Sequence, residues 1–254
     1  MKRRRHVLSI SFGKDSLAML LYVLENGLPL DEVVFFNTSM EFECIYRIRD
    51  RVIIMLRERG IPFREIMIDK PFTWYMFEKE VKERDTGAIH YGYSWCGGSC
   101  RWCTTLKLNA LEKYCCGCIE YVGLAADETE RIEKERNGFK EFPLADAGMT
   151  EKDCLKYCHD RGFYWMEEGI ELYDILDRVS CFCCANKNLK ELKNIWYYLP
   201  KYWERLKELQ AKTTWPMKGE SGSVFELEKR FMREGHQVNL YDVATTFGIT
   251  MSVC

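Results

Sequence analysis

Thirteen cysteines occur in a chain of 254 residues, and most fall into three short groups: Cys96, Cys100 and Cys103; Cys115, Cys116 and Cys118; Cys181, Cys183 and Cys184. Cys100-x-x-Cys103 and Cys181-x-x-Cys184 are two C-x-x-C pairs about eighty residues apart. Thiolates at that spacing can direct two sulfurs to one metal centre, and two such pairs complete a four-thiolate site. Soft sulfur ligands select zinc or iron–sulfur over magnesium or calcium, and spacing alone does not separate the two. Cys100, Cys103, Cys181 and Cys184 are the expected metal ligands, with Cys96 or Cys183 able to replace Cys100. A disulfide framework is the weaker reading. The basic start, Met1 to His6, leads into an apolar stretch that breaks at Gly13-Lys14-Asp15 and is not read as a signal peptide. Cys115, Cys116 and Cys118 straddle a helix end and a strand, which suits core packing or a second metal site shared with Cys96. Cys44, Cys154 and Cys158 are expected in the core.

A second group of residues could hold an anion. Ser9-Ile10-Ser11-Phe12-Gly13-Lys14-Asp15-Ser16 falls between a short apolar run and a helical pattern. Gly13 admits close backbone approach, the helix start offers unpaired N–H groups, Lys14 adds a full positive charge, and Ser11 and Ser16 add hydroxyls. Asp15 could hold a divalent metal or orient the loop. It is not the common Gly-x-x-x-x-Gly-Lys-Ser/Thr loop, because no glycine stands five residues before Gly13.

The elements that must position these groups alternate. Strands are expected at 7–10, 33–36, 66–68 and 119–122. Helical periodicity runs through Leu17, Leu20, Leu21 and Leu24, through Ile45, Ile48, Val52, Met55 and Leu56, and from Thr104 to about Tyr114. Alternation of this kind predicts a parallel α/β sheet with ligands at the carboxyl ends of its strands. Thr150 and Asp153 form a capping box for a helix reaching about Arg161. Residues 124–141 are charged and read as a gating segment. Two helices, broken at Pro200, follow the last cysteines, and 211–254 is read loosely as helical. Trp95 and Trp102 flank the first cysteine loop and could stack on a base.

Composition bounds the class. Lys+Arg 37 against Asp+Glu 39 gives a net charge of −2, with no global pull toward nucleic acid or membrane. No apolar run approaches the roughly 20 residues of a membrane span. A cytoplasmic protein is expected, with a homodimer as the default assembly.

Four stretches carry a resemblance. Ser11-Phe12-Gly13-Lys14-Asp15-Ser16 looks like the pyrophosphate loop (PP-loop) of the adenine nucleotide α-hydrolase fold, in the form typical of the phosphoadenylyl-sulfate (PAPS) reductase family. Phe36-Asn37-Thr38-Ser39-Met40-Glu41-Phe42 resembles its Asp-Thr-Gly-x-Glu-Phe segment. Gly123-Leu124-Ala125-Ala126-Asp127-Glu128-Thr129-Glu130-Arg131 resembles its Gly-x-Arg-x-x-Glu-Ser…Arg segment. Phe142-Pro143-Leu144 with Met149-Thr150-Glu151-Lys152-Asp153 resembles its Pro-Leu…Trp-Thr-x-x-Asp segment. Cys103-Thr104-Thr105-Leu106-Lys107 and Arg178-Val179-Ser180-Cys181-Phe182-Cys183-Cys184 are similar to its cysteine segments. Asn37 stands for the usual acid, Ser39 for a glycine and Ala125 for an arginine that meets the anionic substrate. The chain ends Met251-Ser252-Val253-Cys254, without the reductases' C-terminal Glu-Cys-Gly motif.

The resemblance implies a PP-loop nucleotide-binding α/β domain over 1–176, with its cysteine loop at 95–118. A cluster-completing, helical module follows at 177–254. It implies nucleotide contacts from Ser11, Phe12, Gly13, Lys14, Asp15, Ser16, Asn37, Thr38, Gly123, Glu128 and Arg131, and catalytic roles for Lys14, Asp15 and Lys107. The implied cofactors are a 4Fe–4S cluster (zinc as the alternative), ATP or another adenine nucleotide, and Mg²⁺. Two activities follow from it: ATP-dependent adenylation of an unidentified acceptor with sulfur transfer, or reductive release of sulfite from a sulfonucleotide. Either could draw on a sulfur- or electron-donor protein. A zinc-stapled, non-catalytic nucleotide-binding protein is the third reading.

Overall fold

The computed structural model describes residues 3–83, 85–98, 100–135 and 138–235. The chain divides into two compact units, Met1–Lys187 and Asn188–Cys254. The division falls after the last cysteine group, so 181–184 belong to the first unit, whereas the sequence reading set the boundary at 176/177.

The first unit is built on a parallel sheet of β1 (His6–Ile10), β2 (Glu32–Asn37), β3 (Phe63–Met67), β6 (Ile119–Tyr121) and β7 (Lys140–Glu141), in the order β3-β2-β1-β6-β7. All six β2 positions are buried, as expected of a central strand covered on both faces. β3 mixes half-buried and exposed positions at the sheet edge and begins three residues before the expected 66–68. β7 has two charged residues, too few to show a pattern. Between the strands come α1 (Lys14–Glu25), α2 (Glu43–Glu58), α3 (Phe72–Phe77), the hairpin β4 (Glu80–Lys82) and β5 (Ile89–Tyr91), α4 (Trp102–Cys115) and α5 (Thr129–Glu135). After β7 follow α6 (Pro143–Asp146), α7 (Glu151–His159), the hairpin β8 (Met166–Glu167) and β9 (Ile170–Glu171), and α8 (Leu172–Ile175).

α1 is buried nearly all round, through Leu17, Ala18, Met19, Leu20, Leu21 and Val23, because it packs between β1 and the helices α6 and α7. α2 buries one stripe, Ile45, Ile48, Val52 and Leu56, and leaves a charged face to solvent. α7 opens with the expected capping box of Thr150 and Asp153, but it ends at His159 rather than Arg161. The segment 124–141, read from sequence as gating, contains α5. Its residues 136 and 137, Arg136 among them, lie outside the described residues.

The chain leaves β1 for β2 and β3, then returns to the other side of β1 for β6 and β7. The strand order therefore reverses at β1, and a crevice opens beyond the carboxyl ends of β1 and β6, where ligands bind in sheets of this type.

The second unit contains α9 (Leu189–Tyr198), α10 (Pro200–Gln210) and α11 (Val224–Glu234). Pro200 both ends α9 and opens α10, where its missing N–H costs nothing. Asn188 and Ser223 form capping boxes for α9 and α11. α11 accounts for part of the helix expected in 211–254; residues 236–254, including Cys254, lie outside the described residues. Among the described residues no helix is long and apolar enough to cross a membrane.

Candidate functional site

The loop after β1 is shaped by its anchors. Phe12 has φ 60° and is fully buried, edge-on to Phe35 at 4.9 Å, so its side chain is core. Its carbonyl accepts a hydrogen bond from Trp165 Nε1 at 2.7 Å. The Lys14 N–H donates to the Tyr173 hydroxyl at 2.8 Å, and the Ser16 hydroxyl donates to the Gly13 carbonyl at 3.1 Å. Gly13 gives α1 no side-chain cap, which leaves the helix start open to an anion. A methyl group on Gly13 would stand 3.4 Å from the Tyr173 hydroxyl and 3.7 Å from Ser11 Oγ, inside the loop. Gly123, after β6, lies closer still: a Cβ there would meet Ser16 Cα at 2.9 Å and Ser16 N at 3.1 Å. Only glycine lets the two loops touch.

A cleft of about 200 Å³ opens at this point. Ser11, Gly13, Lys14, Asp15, Ser16, Gly123, Glu128 and Arg131 line it, as the sequence reading expected of nucleotide contacts. Glu151, Tyr173, Asp177, Arg178, Val179 and Ser180 line it too, and sequence reasoning did not assign them. Their signals were present. Glu151 follows the capping residue Thr150, and 178–180 directly precede Cys181. Phe12, Asn37, Thr38 and Lys107 do not line the cleft. Asn37 is occupied structurally: its Oδ1 accepts from the Ser39 N–H at 2.7 Å and the Tyr46 hydroxyl at 3.2 Å, holding Ser39 at φ 63°. That is a conformation glycine adopts freely. Lys107 is half-buried on α4.

Lys14 is 8 % exposed and contacts Glu151 Oε2 at 2.5 Å and Asp15 at 3.1 Å. Burial alone would lower the Lys14 ammonium, but its bonds to Glu151 and Asp15 outweigh that, so it is raised and stays charged. Burial raises the Asp15 carboxyl; Lys14 opposes the rise, while Glu151 and Glu128 add to it.

Over the carboxyl end of β2 lies the thiol-rich site. Cys181 Sγ donates to Glu41 Oε1 at 3.2 Å and lies 3.4 Å from Thr38 Oγ1, while the Phe182 N–H reaches the Met40 carbonyl at 3.0 Å. The two cysteine segments are joined by backbone. The Ala185 N–H donates to the Cys96 carbonyl at 3.0 Å, and the Gly98 N–H to Asn186 Oδ1 at 2.6 Å. Gly97, at φ 149°, passes so close that a Cβ would meet Ala185 Cβ and Asn186 N at 2.9 Å.

The Cys103 thiol hydrogen-bonds to Cys96, which lowers Cys96 and raises Cys103. Cys181 and Cys183 are both within electrostatic reach of Cys103, and Cys184 of Cys183; burial raises Cys181 and Cys183. Cys100 instead reaches the Tyr93 carbonyl at 3.6 Å. The partner of Cys103 is thus Cys96 in this arrangement. Cys96 and Cys103 are paired by a hydrogen bond, and among the described residues no three His, Cys, Asp or Glu groups enclose a metal position. The donor set nevertheless suits a thiolate-bound metal: several cysteines on two segments fixed to each other, needing deprotonation to ligate.

Other expectations are corrected. Cys115 is twelve residues beyond Cys103 on α4, about 18 Å along the helix, so Cys115, Cys116 and Cys118 cannot share a site with Cys96. Trp95 and Trp102 are buried, and Trp102 is already stacked with Tyr75 and Tyr93 at 5.7 and 5.9 Å, leaving no face for a base. Cys44, Cys154 and Cys158 are buried, as core residues should be.

The chain is similar to several known proteins. A curated relative, the uncharacterized protein MJ0066 of Methanocaldococcus jannaschii, is 26% identical over 217 residues, 78% of this chain and 40% of the relative. The chain thus spans less than half the length of that relative. Among solved structures, the U34-tRNA thiolase NcsA from Methanococcus maripaludis with its 4Fe–4S cluster is similar at TM-score 0.41 and 14% identity, over 94% of this chain and 75% of that one. Residues 5–158, more than half of the chain, match the phosphoadenosine phosphosulfate reductase domain. With the strand order, the open start of α1 and the glycine contact at Ser16 already in place, that match makes the chain a member of the phosphoadenosine phosphosulfate reductase domain family.

Proposed function

We propose that the chain is a PP-loop enzyme that binds ATP at residues 11–16, adenylates an acceptor and hands sulfur to it. The observation carrying this reading is that the anion-receptive start of α1 and the thiol-rich site belong to one unit and nearly touch: Ser180 lines the cleft and Cys181 is the next residue.

An acceptor oxygen attacks the α-phosphorus, the bond to the bridging oxygen breaks, and pyrophosphate leaves. Sulfide sulfur then displaces the adenylate, giving a thiolated acceptor and AMP. Lys14 and the free N–H groups of α1 stabilise the charge that develops on the departing pyrophosphate. Asp15 and Glu128 would supply hard oxygen ligands of the kind Mg²⁺ takes alongside phosphate. Cys103, Cys181 and Cys184 would hold a 4Fe–4S cluster by three of its irons, and the fourth iron, if neither Cys96 nor Cys100 took it, would supply a soft site for sulfide. Ala125, fully buried where the resembled reductases carry an arginine, leaves the cleft without that cation for a sulfonucleotide.

The test is calorimetric binding of Mg-ATP, with iron and acid-labile sulfide measured on protein purified without oxygen. Lys14→Ala should weaken ATP at least tenfold. The wild type should carry about four irons and four sulfides, lost in Cys181→Ala/Cys184→Ala. Sulfite release from a sulfonucleotide, with no ATP binding, would move the assignment to reductase. About one zinc without sulfide would leave a metal-stapled nucleotide-binding protein.

A further inference from the structure

Cys115, Cys116 and Cys118 take no part in the site above, yet their backbone is specific. α4 ends at Cys115, and Cys116 follows at φ −52° and ψ 123°. Gly117 has φ 77°, and the Cys118 N–H donates to the Cys115 carbonyl at 2.9 Å. These values define a type II β-turn with cysteines at its first and last positions and glycine where the turn requires φ above zero. Such a turn holds its end Cα atoms within about 7 Å, and disulfides span about 4.4–6.8 Å.

The side chains differ in access. Cys115 is buried, in a core cluster with Val7, Val34, Phe36 and Leu111, whereas Cys118 is half-buried and Cys116 exposed. The charge of Arg5 reaches Cys118. Glu120, Glu32 and Cys118 all lie within electrostatic reach of Cys115, whose thiol burial and these charges push up to about 12. A buried thiolate is costly there, but a disulfide carries no charge and escapes that cost.

We propose that Cys115 and Cys118 form a thiol–disulfide exchange site, separate from the cysteines near the nucleotide cleft, that closes by reaction with small-molecule disulfides. In the first step the Cys118 thiolate attacks the external disulfide, forming a mixed disulfide and releasing one thiol. Cys115 then loses its proton and attacks the Cys118 sulfur, expelling the second thiol. Two protein thiols are oxidised and one external disulfide is reduced to two thiols. The product ties the end of α4 to the start of β6.

Cleavage after Lys113 and Arg131 places Cys115, Cys116 and Cys118, and no other cysteine, in one peptide. The experiment treats folded protein with oxidised glutathione, alkylates the remaining thiols and reads that peptide by mass. The wild type should lose two hydrogens and retain one alkylated thiol. Cys116→Ser should lose two hydrogens and retain none. Cys118→Ser should lose none, and dithiothreitol should reverse the change. A glutathione adduct on Cys116 with Cys115 and Cys118 both alkylated would overturn the proposal. So would a two-hydrogen loss that persists in Cys118→Ser. Because the readout is confined to residues 114–131, it is independent of ATP binding and of metal content.

Discussion

Burial and the neighbouring charges together set the charge balance of Lys14 and Asp15 before any ligand arrives. Lys14 has two carboxylate partners and is held charged, whereas Asp15 has one cation and two further carboxylates, Glu151 and Glu128, within reach. Its folded pKa lies above the ordinary value of 3.8. The native state therefore binds the Asp15 proton more tightly than the unfolded chain does. That contribution to stability is complete below the unfolded pKa and is lost as pH rises through the folded one. At neutral pH the charged carboxylate is a net cost, and in the proposed function it serves as an oxygen ligand for a phosphate-bound cation. Asp15→Asn should raise the thermal midpoint at pH 7, with the gain vanishing below about pH 4, while Mg-ATP-dependent pyrophosphate release falls at least tenfold. Equal midpoints for wild type and variant at both pH values would remove the argument.

At the scale of elements, the thiol-rich site depends on two loops meeting at Gly97. A methyl group there has Ala185 and the Asn186 backbone 2.9 Å away, and neither is a flexible side-chain end. Gly98 is the internal control: at φ 55° it has nothing within 4 Å of a built Cβ. Gly98→Ala should cost only the left-handed conformation, about 1 kcal/mol. Gly97→Ala adds overpacking of about 1–3 kcal/mol and should part the segments. Buried Cys103 and Cys183 should then alkylate faster in metal-free Gly97→Ala than in Gly98→Ala, and bound iron should fall only in the former. The sequence did not reveal this contact, because it joins residues almost ninety positions apart through backbone and two small or neutral side chains, Ala185 and Asn186, that carry no motif. What it did reveal was local. The apolar runs of β1 and β2, the stripe of α2 and the Thr150 box each express a repeat or cap within a few residues. That residues 11–16 form a loop between β1 and α1, lining a cleft, was legible for the same reason. Glu151 and Tyr173 join the cleft only through the fold, while Asn37 turned inward to brace Ser39.

At the scale of the molecule, the cleft and the thiol-rich site belong to the first unit, while the described residues 188–235 of the second have a core of their own. Trp196 and Trp203 pack on Phe231 at 5.9 and 5.8 Å, Trp203 Nε1 donates to Glu228 at 3.0 Å, and Lys207 pairs with the same carboxylate. A helical unit with its own aromatic core and two capping boxes can open and close by itself. Ligand binding stabilises only states that contain the intact site. ATP at about a hundred times its Kd adds about 2.7 kcal/mol, which slows exchange through opening of the first unit about a hundredfold. Hydrogen exchange with and without Mg-ATP should therefore show strong protection in α1, around 123–131 and around 173–180. Exchange in α9, α10 and α11 should stay unchanged where it proceeds by opening of the second unit. Equal protection in both would mean that the chain unfolds as one cooperative block, and no protection in α1 would remove ATP from the cleft.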